Sequence, residues 1–227
     1  MTDSSNVVGG LTMTSKPRYI VVEGPIGVGK SSLARKLADY YEADLFMEKA
    51  DENPFLSRFY SGSPNIGFHT QLHFLMQRAE QLEGLHRKME EDPNKMVIAD
   101  FLFEKDGLFA EANLDADELE IYNKVKSKLE IKQPEPDLVI YLQATEDVLS
   151  NRINKRNNPF EASITQSYLQ KLNSKYAELF HYYNKSPLLI INASEIDFVK
   201  NQKDFELLLG AINPIKKGKH FFSPAKI

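Results

Sequence analysis

The sequence has no cysteine among its 227 residues. Disulfide bonds, cysteine nucleophiles and thiolate metal ligands are therefore excluded. No apolar run approaches the roughly 20 residues that a helix needs to cross a bilayer. The opening segment MTDSSNVVGGLTMTSKP also lacks the basic region and apolar core of a secretory signal. We therefore expect a cytoplasmic protein with no membrane partner.

An excess of basic charge is missing as well. The 28 Lys and Arg residues are outnumbered by 32 Asp and Glu residues, which gives a net charge of −4. Broad nucleic-acid binding usually requires a basic domain, so no nucleic-acid partner is expected. Hydrophobic residues make up 42% of the chain and charged residues 26%, as is ordinary for a globular protein with a core.

Short apolar runs alternate with longer amphipathic segments along the chain. The apolar runs predict buried parallel strands at residues 19–22, 45–47, 96–99, 138–142 and 188–191. The amphipathic segments predict helices at residues 30–41, 68–88, 116–130, 145–156 and 167–184. This alternation indicates an α/β three-layer sandwich in which helices flank a five-stranded parallel sheet.

The chain is expected to form a single domain. Residues 1–16 are rich in Ser, Thr, Asn and Gly and are predicted to be a flexible N-terminal leader. Residues 213–227, with two prolines, one glycine and four lysines, are predicted to be a loosely attached C-terminal tail. The domain itself is predicted to span residues 17–212, since no internal repeat or long linker divides it.

A glycine-rich segment, EGPIGVGKSS, follows the first predicted strand. Gly24, Gly29, Lys30 and Ser31 match the pattern G-x-x-x-x-G-K-S of a phosphate-binding P-loop. Backbone N–H groups of such a loop point at phosphate oxygens, and the following helix N-terminus adds partial positive charge. We therefore predict a P-loop NTPase-type fold that binds ATP through Gly24, Pro25, Ile26, Gly27, Val28, Gly29, Lys30, Ser31 and Ser32.

Two carboxylates end predicted strands near this loop. Asp100 follows the third strand, where a P-loop protein typically holds Mg²⁺, here together with the hydroxyl of Ser31. The alternative for Asp100 is a helix N-cap. Glu48 follows the second strand and is a candidate acceptor for the proton of an attacking hydroxyl. The alternative for Glu48 is a solvated strand end.

Two arginines lie one helical turn apart in the segment RINKRNNPFE. Arg152 and Arg156 share one face of a predicted helix. Fixed positive charge at this point would stabilise the oxygens of a transferred phosphoryl group. The alternative is a solvated basic face.

Further segments carry a resemblance that covers residues 18–209. ENPFLSRFY contains Tyr60, and FHTQLHFLMQR contains Gln71 and Arg78. Together with the glycine loop and the two acidic strand ends, the order of these segments resembles the deoxynucleoside kinase family. The resemblance implies phosphate transfer from ATP to the 5′-hydroxyl of a deoxynucleoside, with Glu48 as general base. It also implies that Tyr60 binds the sugar 3′-hydroxyl, and that Gln71 and Arg78 read the base.

The same resemblance extends to a helical lid and to oligomeric state. Arg152 and Arg156 match two lid arginines, and Glu161 matches a glutamate that meets the 3′-hydroxyl. The resemblance implies that helices 68–88 and 116–130 form the face of a homodimer. The alternative is that their apolar stripes serve core packing. A purine deoxynucleoside is slightly favoured as the acceptor, since relatives of this kind often act on purines.

The sequence departs from the family pattern at two places. After the third strand the family has an acidic residue followed by Arg and Ser, whereas this chain has Phe101 and Leu102 after Asp100. Lys105 is the candidate replacement for the missing arginine, as a point charge without the guanidinium fork. In the lid, Asn157 and Asn158 stand in place of Gly and Arg.

Two other functions compete with a deoxynucleoside kinase. A thymidylate kinase-like enzyme would carry Asp-Arg-Tyr after the third strand, which Asp100-Phe101-Leu102 does not match. An ATP-binding regulatory protein without catalysis is favoured by the missing arginine. It is opposed by the presence of Glu48, Asp100 and the two lid arginines.

Overall fold

A computed structural model describes residues 17–223. Its centre is a parallel sheet of six strands in the order β2-β3-β1-β4-β5-β6. The strands are β1 (Tyr19–Glu23), β2 (Asp44–Phe46), β3 (Val97–Ala99), β4 (Leu138–Gln143), β5 (Leu188–Asn192) and β6 (Lys219–Phe222).

Eight α-helices are described with these strands, and a 3₁₀ turn lies at Ala50–Glu52. The helices are α1 (Lys30–Tyr41), α2 (Leu56–Tyr60), α3 (Gly67–Glu91), α4 (Lys105–Asn113), α5 (Ala116–Lys128), α6 (Glu146–Arg156), α7 (Gln166–Tyr182) and α8 (Gln202–Ile212). The helix predicted at residues 30–41 has the same bounds as α1.

The four inner strands of the sheet, β3, β1, β4 and β5, are buried between helices on both faces, which confirms the three-layer sandwich. Alternate residues of β1 point to opposite sides, so that Ile20 packs with residues of α1, α6 and α8, and Val21 with residues of α3, α4 and α7. Continuous apolar strands are what such a doubly covered parallel sheet requires.

The prediction of five strands was wrong, because residues 219–222 of the predicted tail form a sixth. Strand β6 pairs in parallel with β5, and the N–H of Leu188 donates to the carbonyl of Gly218 at 2.9 Å. Ile215, which leads into this strand, is buried. The strand reads KHFF and is largely exposed, so it lacks the continuous apolar run by which the buried strands were found. The predicted leader, residues 1–16, lies outside the described residues.

The parallel arrangement brings the ends of several strands to one edge of the sheet. The glycine loop follows β1, Glu48 follows β2, and Asp100 follows β3. Ligand sites of open α/β sheets lie outside the carboxyl ends of the strands, so this edge is where a site is expected. None of the helices in residues 17–223 is long and apolar enough to cross a membrane.

Candidate active site

The glycine loop adopts a backbone that side chains would obstruct. Gly24 has a φ of 151°, and a Cβ atom added there would lie 2.4 Å from the carbonyl oxygen of Leu142. Gly27 has a φ of 83°, and a Cβ atom there would lie 2.8 Å from Cγ1 of Ile153. The loop is therefore pressed between β4 and α6, and only glycine fits at these two points.

Lys30 begins helix α1 and faces the loop. Its Nζ atom donates to the carbonyl oxygens of Gly24 at 2.7 Å and of Pro25 at 3.2 Å. Burial, and next the charge of Lys105, lowers the pKa of Lys30 from its ordinary value. A phosphate chain in the loop would place further negative charge beside this partly buried ammonium group.

Ser31 and Asp100 lie together as a metal site would require. The hydroxyl of Ser31 donates to Oδ2 of Asp100 at 2.6 Å, and the backbone N–H of Glu48 donates to Oδ1 at 2.7 Å. Within the described residues there is no cluster of three or more acidic, His or Cys side chains that would hold a metal by themselves. Mg²⁺ commonly takes one or two carboxylates plus substrate phosphates, so a hydroxyl and one carboxylate beside a phosphate loop fit it.

Two cavities meet at the loop. A cavity of about 500 Å³, called here the donor cavity, lies between the loop, Arg152 and the segment 196–200. A second cavity of about 390 Å³, called the acceptor cavity, lies between the loop, α3 and the lid segment after α6. The residues that line both are Gly27, Lys30, Ser31 and Arg156. A phosphoryl group held by these four residues would be accessible from both cavities.

Glu48 faces the acceptor cavity with both of its oxygens paired. Its Oε2 atom accepts from Nζ of Lys105 at 2.7 Å, and its Oε1 atom accepts from Nε of Arg78 at 2.9 Å. Burial raises the pKa of Glu48, but the charges and hydrogen bonds of Lys105 and Arg78 outweigh burial and lower it to about 2. Lys105 thus makes the contact with Glu48 that its proposed replacement of an arginine requires.

Glu23, the last residue of β1, was missed by the sequence analysis. Its buried carboxylate accepts from the N–H of Gly24 at 2.8 Å, from the N–H of Leu102 at 2.7 Å and from the hydroxyl of Tyr176 at 3.0 Å. Its Oε2 atom also lies 3.9 Å from Nζ of Lys105. An acidic residue at the end of a buried strand was the signal used for Glu48 and Asp100, and it applies equally to Glu23.

The residues that replace the family's Arg-Ser pair face the core. Phe101 and Leu102 are both buried, and the ring of Phe46 lies 5.5 Å from that of Phe101. Neither apolar side chain supplies charge to a phosphate.

The lid arginines occupy different positions. Arg152 donates to the carbonyl oxygens of Val28 at 2.9 Å and Ala193 at 2.7 Å, and it lines the donor cavity. Arg156 lines both cavities and pairs with the carboxylate of Glu161. The expectation of two arginines over one phosphoryl group therefore has geometric support only for Arg156.

The two asparagines of the lid have structural roles. Asn157 ends α6 with a φ of 52°, a left-handed conformation that glycine or asparagine commonly adopts at a helix end. The side chain of Asn158 accepts from the N–H of Phe160 at 3.1 Å and lines the acceptor cavity.

The predicted sugar and base contacts all line the acceptor cavity, namely Tyr60, Gln71, Arg78 and Glu161. Burial, followed by the influence of Tyr168 and Glu161, raises the pKa of Tyr60 well above its usual range, so its hydroxyl keeps a proton to donate. Gln71 is 2% exposed, and its Oε1 atom has no hydrogen-bond partner within residues 17–223. Among the residues that the sequence analysis missed, Phe74, Phe109, Tyr168 and Tyr176 supply aromatic walls.

The chain is similar in sequence to known proteins of one family. The sequence model of the family described as deoxynucleoside kinase matches residues 20–216. A deoxyguanosine kinase from Bacillus subtilis (strain 168) is 34% identical over 203 residues, which cover 87% of this chain and 97% of that protein. A deoxyadenosine kinase from Lactobacillus acidophilus is 32% identical over 194 residues, which cover 81% of this chain and 89% of that protein.

A solved structure is similar as well. The deoxyadenosine kinase from M. mycoides with bound dATP superimposes with a TM-score of 0.72 at 25% identity. The match covers 86% of this chain and 99% of that one.

Proposed function

The chain belongs to the deoxynucleoside kinase family, and we propose that it transfers the γ-phosphate of ATP to the 5′-hydroxyl of a purine deoxynucleoside. One observation carries the proposal: Glu48 lies in an acceptor cavity that shares Lys30, Ser31 and Arg156 with the donor cavity. A purine is favoured because the similar proteins named above include deoxyguanosine and deoxyadenosine kinases.

Glu48 is the group that would handle the acceptor hydroxyl. Its carboxylate orients the 5′-hydroxyl by accepting its hydrogen bond, and takes the proton as the new bond from oxygen to phosphorus forms. The bond between the γ-phosphorus and its bridging oxygen breaks, and ADP leaves. In a loose transition state the hydroxyl loses its proton late, so a weakly basic carboxylate is sufficient if it is well positioned. Lys105 and Arg78 provide that position by holding one oxygen each.

Positive charge converges on the phosphate that is transferred. Lys30 and the loop N–H groups would bind the phosphate chain, and Arg156 would exchange its contact with Glu161 for the transferred group. We further propose that Ser31 and Asp100 hold Mg²⁺ with the phosphates. Mg²⁺ held by these two side chains would help to neutralise the negative charge of the phosphates.

The remaining polar side chains of the cavity fit a nucleoside. Tyr60 and Glu161 together offer a donor and an acceptor for the 3′-hydroxyl of the sugar. Gln71 and Arg78 lie on α3 and line the same cavity, and are proposed to bind the edge of the base.

The test is an assay with radiolabelled ATP and Mg²⁺ against the four deoxynucleosides, their monophosphates and no acceptor. Transfer to a purine deoxynucleoside is expected. Transfer to a monophosphate alone would establish the thymidylate kinase-like alternative. Tight ATP binding with no acceptor-dependent transfer would establish a regulatory protein without catalysis.

The homodimer remains a prediction. Helices α3 and α5, which the resemblance implies as its face, each expose a large apolar side chain, with Met76 50% and Ile121 53% exposed. Sedimentation of the purified chain tests it, and a monomer at micromolar concentration would contradict it.

A further inference from the structure

The ion pair between Arg156 and Glu161 joins a residue proposed to meet the transferred phosphate with one proposed to meet the sugar. Nη2 of Arg156 donates to Oε2 of Glu161. Arg156 lines both cavities, whereas Glu161 lines only the acceptor cavity of the two. While the pair is closed, the charge of Arg156 is therefore spent on a carboxylate of the acceptor cavity.

The two side chains lie close together in the chain, so they can separate without movement of the sheet. Arg156 ends α6, and Glu161 follows five positions later. The N–H of Glu161 donates to the carbonyl oxygen of Asn158 at 3.0 Å, and the carbonyl oxygen of Glu161 accepts from the N–H of Ile164 at 3.0 Å. The backbone on both sides of Glu161 is thus hydrogen-bonded within the segment, and a change of partner needs only side-chain rotation.

The exposure of the pair makes it easy to open. The side chain of Arg156 is 50% exposed, whereas that of Glu161 is 14% exposed. Ion pairs that are open to solvent are weak. A ligand that offers either side chain a better contact can therefore separate the two.

Tyr60 places the sugar end of the acceptor cavity beside this pair. Burial first, then Tyr168 and the negative charges of Glu161 and Glu48, raise the pKa of Tyr60 well above its usual range, and Arg156 opposes this shift. Both members of the pair therefore lie near enough to act on Tyr60. A sugar 3′-hydroxyl bound between Tyr60 and Glu161 would donate to the carboxylate and compete with Arg156 for it.

Arg156 differs from Arg152 in what holds it. Arg152 donates to two backbone carbonyl groups. Within residues 17–223, the side chain of Arg156 has Glu161 as its one hydrogen-bonding and ion-pairing partner. Once Glu161 is taken by another donor, the guanidinium is left without a protein partner next to Lys30 and Ser31, with which it lines both cavities.

We propose that Glu161 is a positioning residue for Arg156, and that their ion pair keeps the arginine from the γ-phosphate until the 3′-hydroxyl of an acceptor takes over the carboxylate. This inference rests on the proposed function and adds a coupling between the two cavities. The coupling is reciprocal, since a phosphate that draws Arg156 away also frees Glu161 for the sugar. A hydroxyl that takes no part in the chemistry thereby controls the charge on the transferred group.

The first test compares deoxyguanosine and deoxyadenosine with their 2′,3′-dideoxy analogues, using the unaltered protein at saturating ATP and Mg²⁺. The analogues keep the 5′-hydroxyl but lack the 3′-hydroxyl. Their kcat is expected to be roughly tenfold or more below that of the parent, because fixed positive charge on the phosphoryl oxygens acts in the transition state. An analogue that raises KM and leaves kcat unchanged would overturn the inference. Failure of both parent deoxynucleosides would instead refute the proposed function itself.

The second test uses Glu161→Gln, which weakens the hold on Arg156. The kcat for the dideoxy analogues is expected to rise roughly threefold or more above that of the unaltered protein, while kcat/KM for the parents falls. If Glu161 only binds the 3′-hydroxyl, its loss leaves kcat unchanged for acceptors without that hydroxyl, and this result would overturn the inference. The matched control is Glu111→Gln, which changes an ion pair with Lys175 that lines neither cavity. It should leave all four acceptors unaffected.

A third measurement shows whether the gain acts through Arg156. In an Arg156→Met background, adding Glu161→Gln should no longer raise kcat for the analogues, because the guanidinium that it releases is absent. A gain that persists in the double variant would contradict the inference. If thermal melts show Glu161→Gln to be poorly folded, Glu161→Ala takes its place, and the same gain is expected because that variant also frees Arg156.

Discussion

Lys105 and Glu48 form an ion pair in the acceptor cavity, with 2.7 Å between Nζ and Oε2. Arg78 holds the other oxygen of the same carboxylate at 2.9 Å. A lysine from α4 therefore contacts the carboxylate that, in the family pattern, is positioned by the arginine that this chain lacks. Unlike an arginine fork, it supplies one point charge, and the second contact has to come from α3.

Replacing Lys105 by Ala should reduce kcat by about tenfold or more, since general-base contributions are typically 10²–10⁴-fold and depend on position. The Kd for ATP, measured by calorimetry, should change little. The reason is that Lys105 contacts Glu48 rather than lining the donor cavity.

Two further variants test this interpretation of Lys105. Lys105→Arg should recover part of the lost kcat, because it restores a cation beside Glu48. Lys124→Ala, at an exposed pair on α5, should behave as the unaltered protein. An unchanged kcat in Lys105→Ala would mean that this buried ammonium is only structural.

Replacing Glu48 by Gln should depress turnover far more than ATP binding. A loss of roughly 10²–10⁴-fold in kcat is expected for the removal of a general base, since the amide keeps the shape but does not accept a proton. Rapid-quench measurement of a single turnover separates this chemical step from product release. The control is Glu83→Gln, which changes an exposed ion pair with Arg87. Equal turnover in the two variants would show that Glu48 is not the general base.

The stability of the fold should fall in acid partly through Glu48. Its pKa in the folded protein is lowered to about 2 from an ordinary value of 4.5, so in this interval the unfolded chain binds more protons. Its contribution is therefore fully present above about pH 4.5 and is lost as the pH falls towards 2. Between pH 7 and pH 3 the loss is about 2 kcal/mol.

Urea unfolding at a series of pH values measures this effect. The free energy of unfolding should fall more steeply with acid in the unaltered protein than in Glu48→Gln. Parallel curves for the two proteins would contradict the lowered pKa.

Replacing Gly27 by Ala should weaken ATP binding at least tenfold and lower stability by about 1–3 kcal/mol, as expected for a strained backbone position. The added methyl group would lie 2.8 Å from Cγ1 of Ile153 and 2.9 Å from the carbonyl oxygen of Leu149, at a φ of 83°. Gly84 is the matched control, because it lies inside α3 and a Cβ atom there meets nothing within 4 Å. Thermal melts should show that Gly84→Ala leaves the stability unchanged or raises it. An unchanged Kd for ATP in Gly27→Ala would show that the loop tolerates a side chain at this position.

The parts of the molecule that could be predicted from the sequence are those set by local pattern. Helix α1 and the loop before it follow from glycine positions and from a strand and a helix that are adjacent in the chain. The five strands that the sequence predicted are buried, or form continuous apolar runs, and so carry a clear signal. Strand β6 has no such sequence signal, because it is short and exposed and is defined only by its pairing with β5.

The parts that could not be predicted depend on how distant helices pack. Asp106 meets Arg78 across 28 positions of sequence and Tyr122 across 16. The periodicity of α3, α4 and α5 does not show that polar residues from these three helices contact one another in the interior. The difference between the two lid arginines is of the same kind, because Arg152 is fixed by the carbonyl of Ala193, 41 positions away.

The tight contact at Gly27 has a consequence for motion. Leu149 and Ile153 are buried, and the backbone of Gly27 lies directly against them. The first two turns of α6 therefore pack closely against the phosphate loop. Arg152 donates hydrogen bonds to two carbonyl groups at the same place. If the segment after α6 opens or closes, we expect it to pivot beyond Ile153, in the last turn of the helix. In such a motion Arg152 would stay with the phosphate loop, and Arg156 would move with the segment after α6.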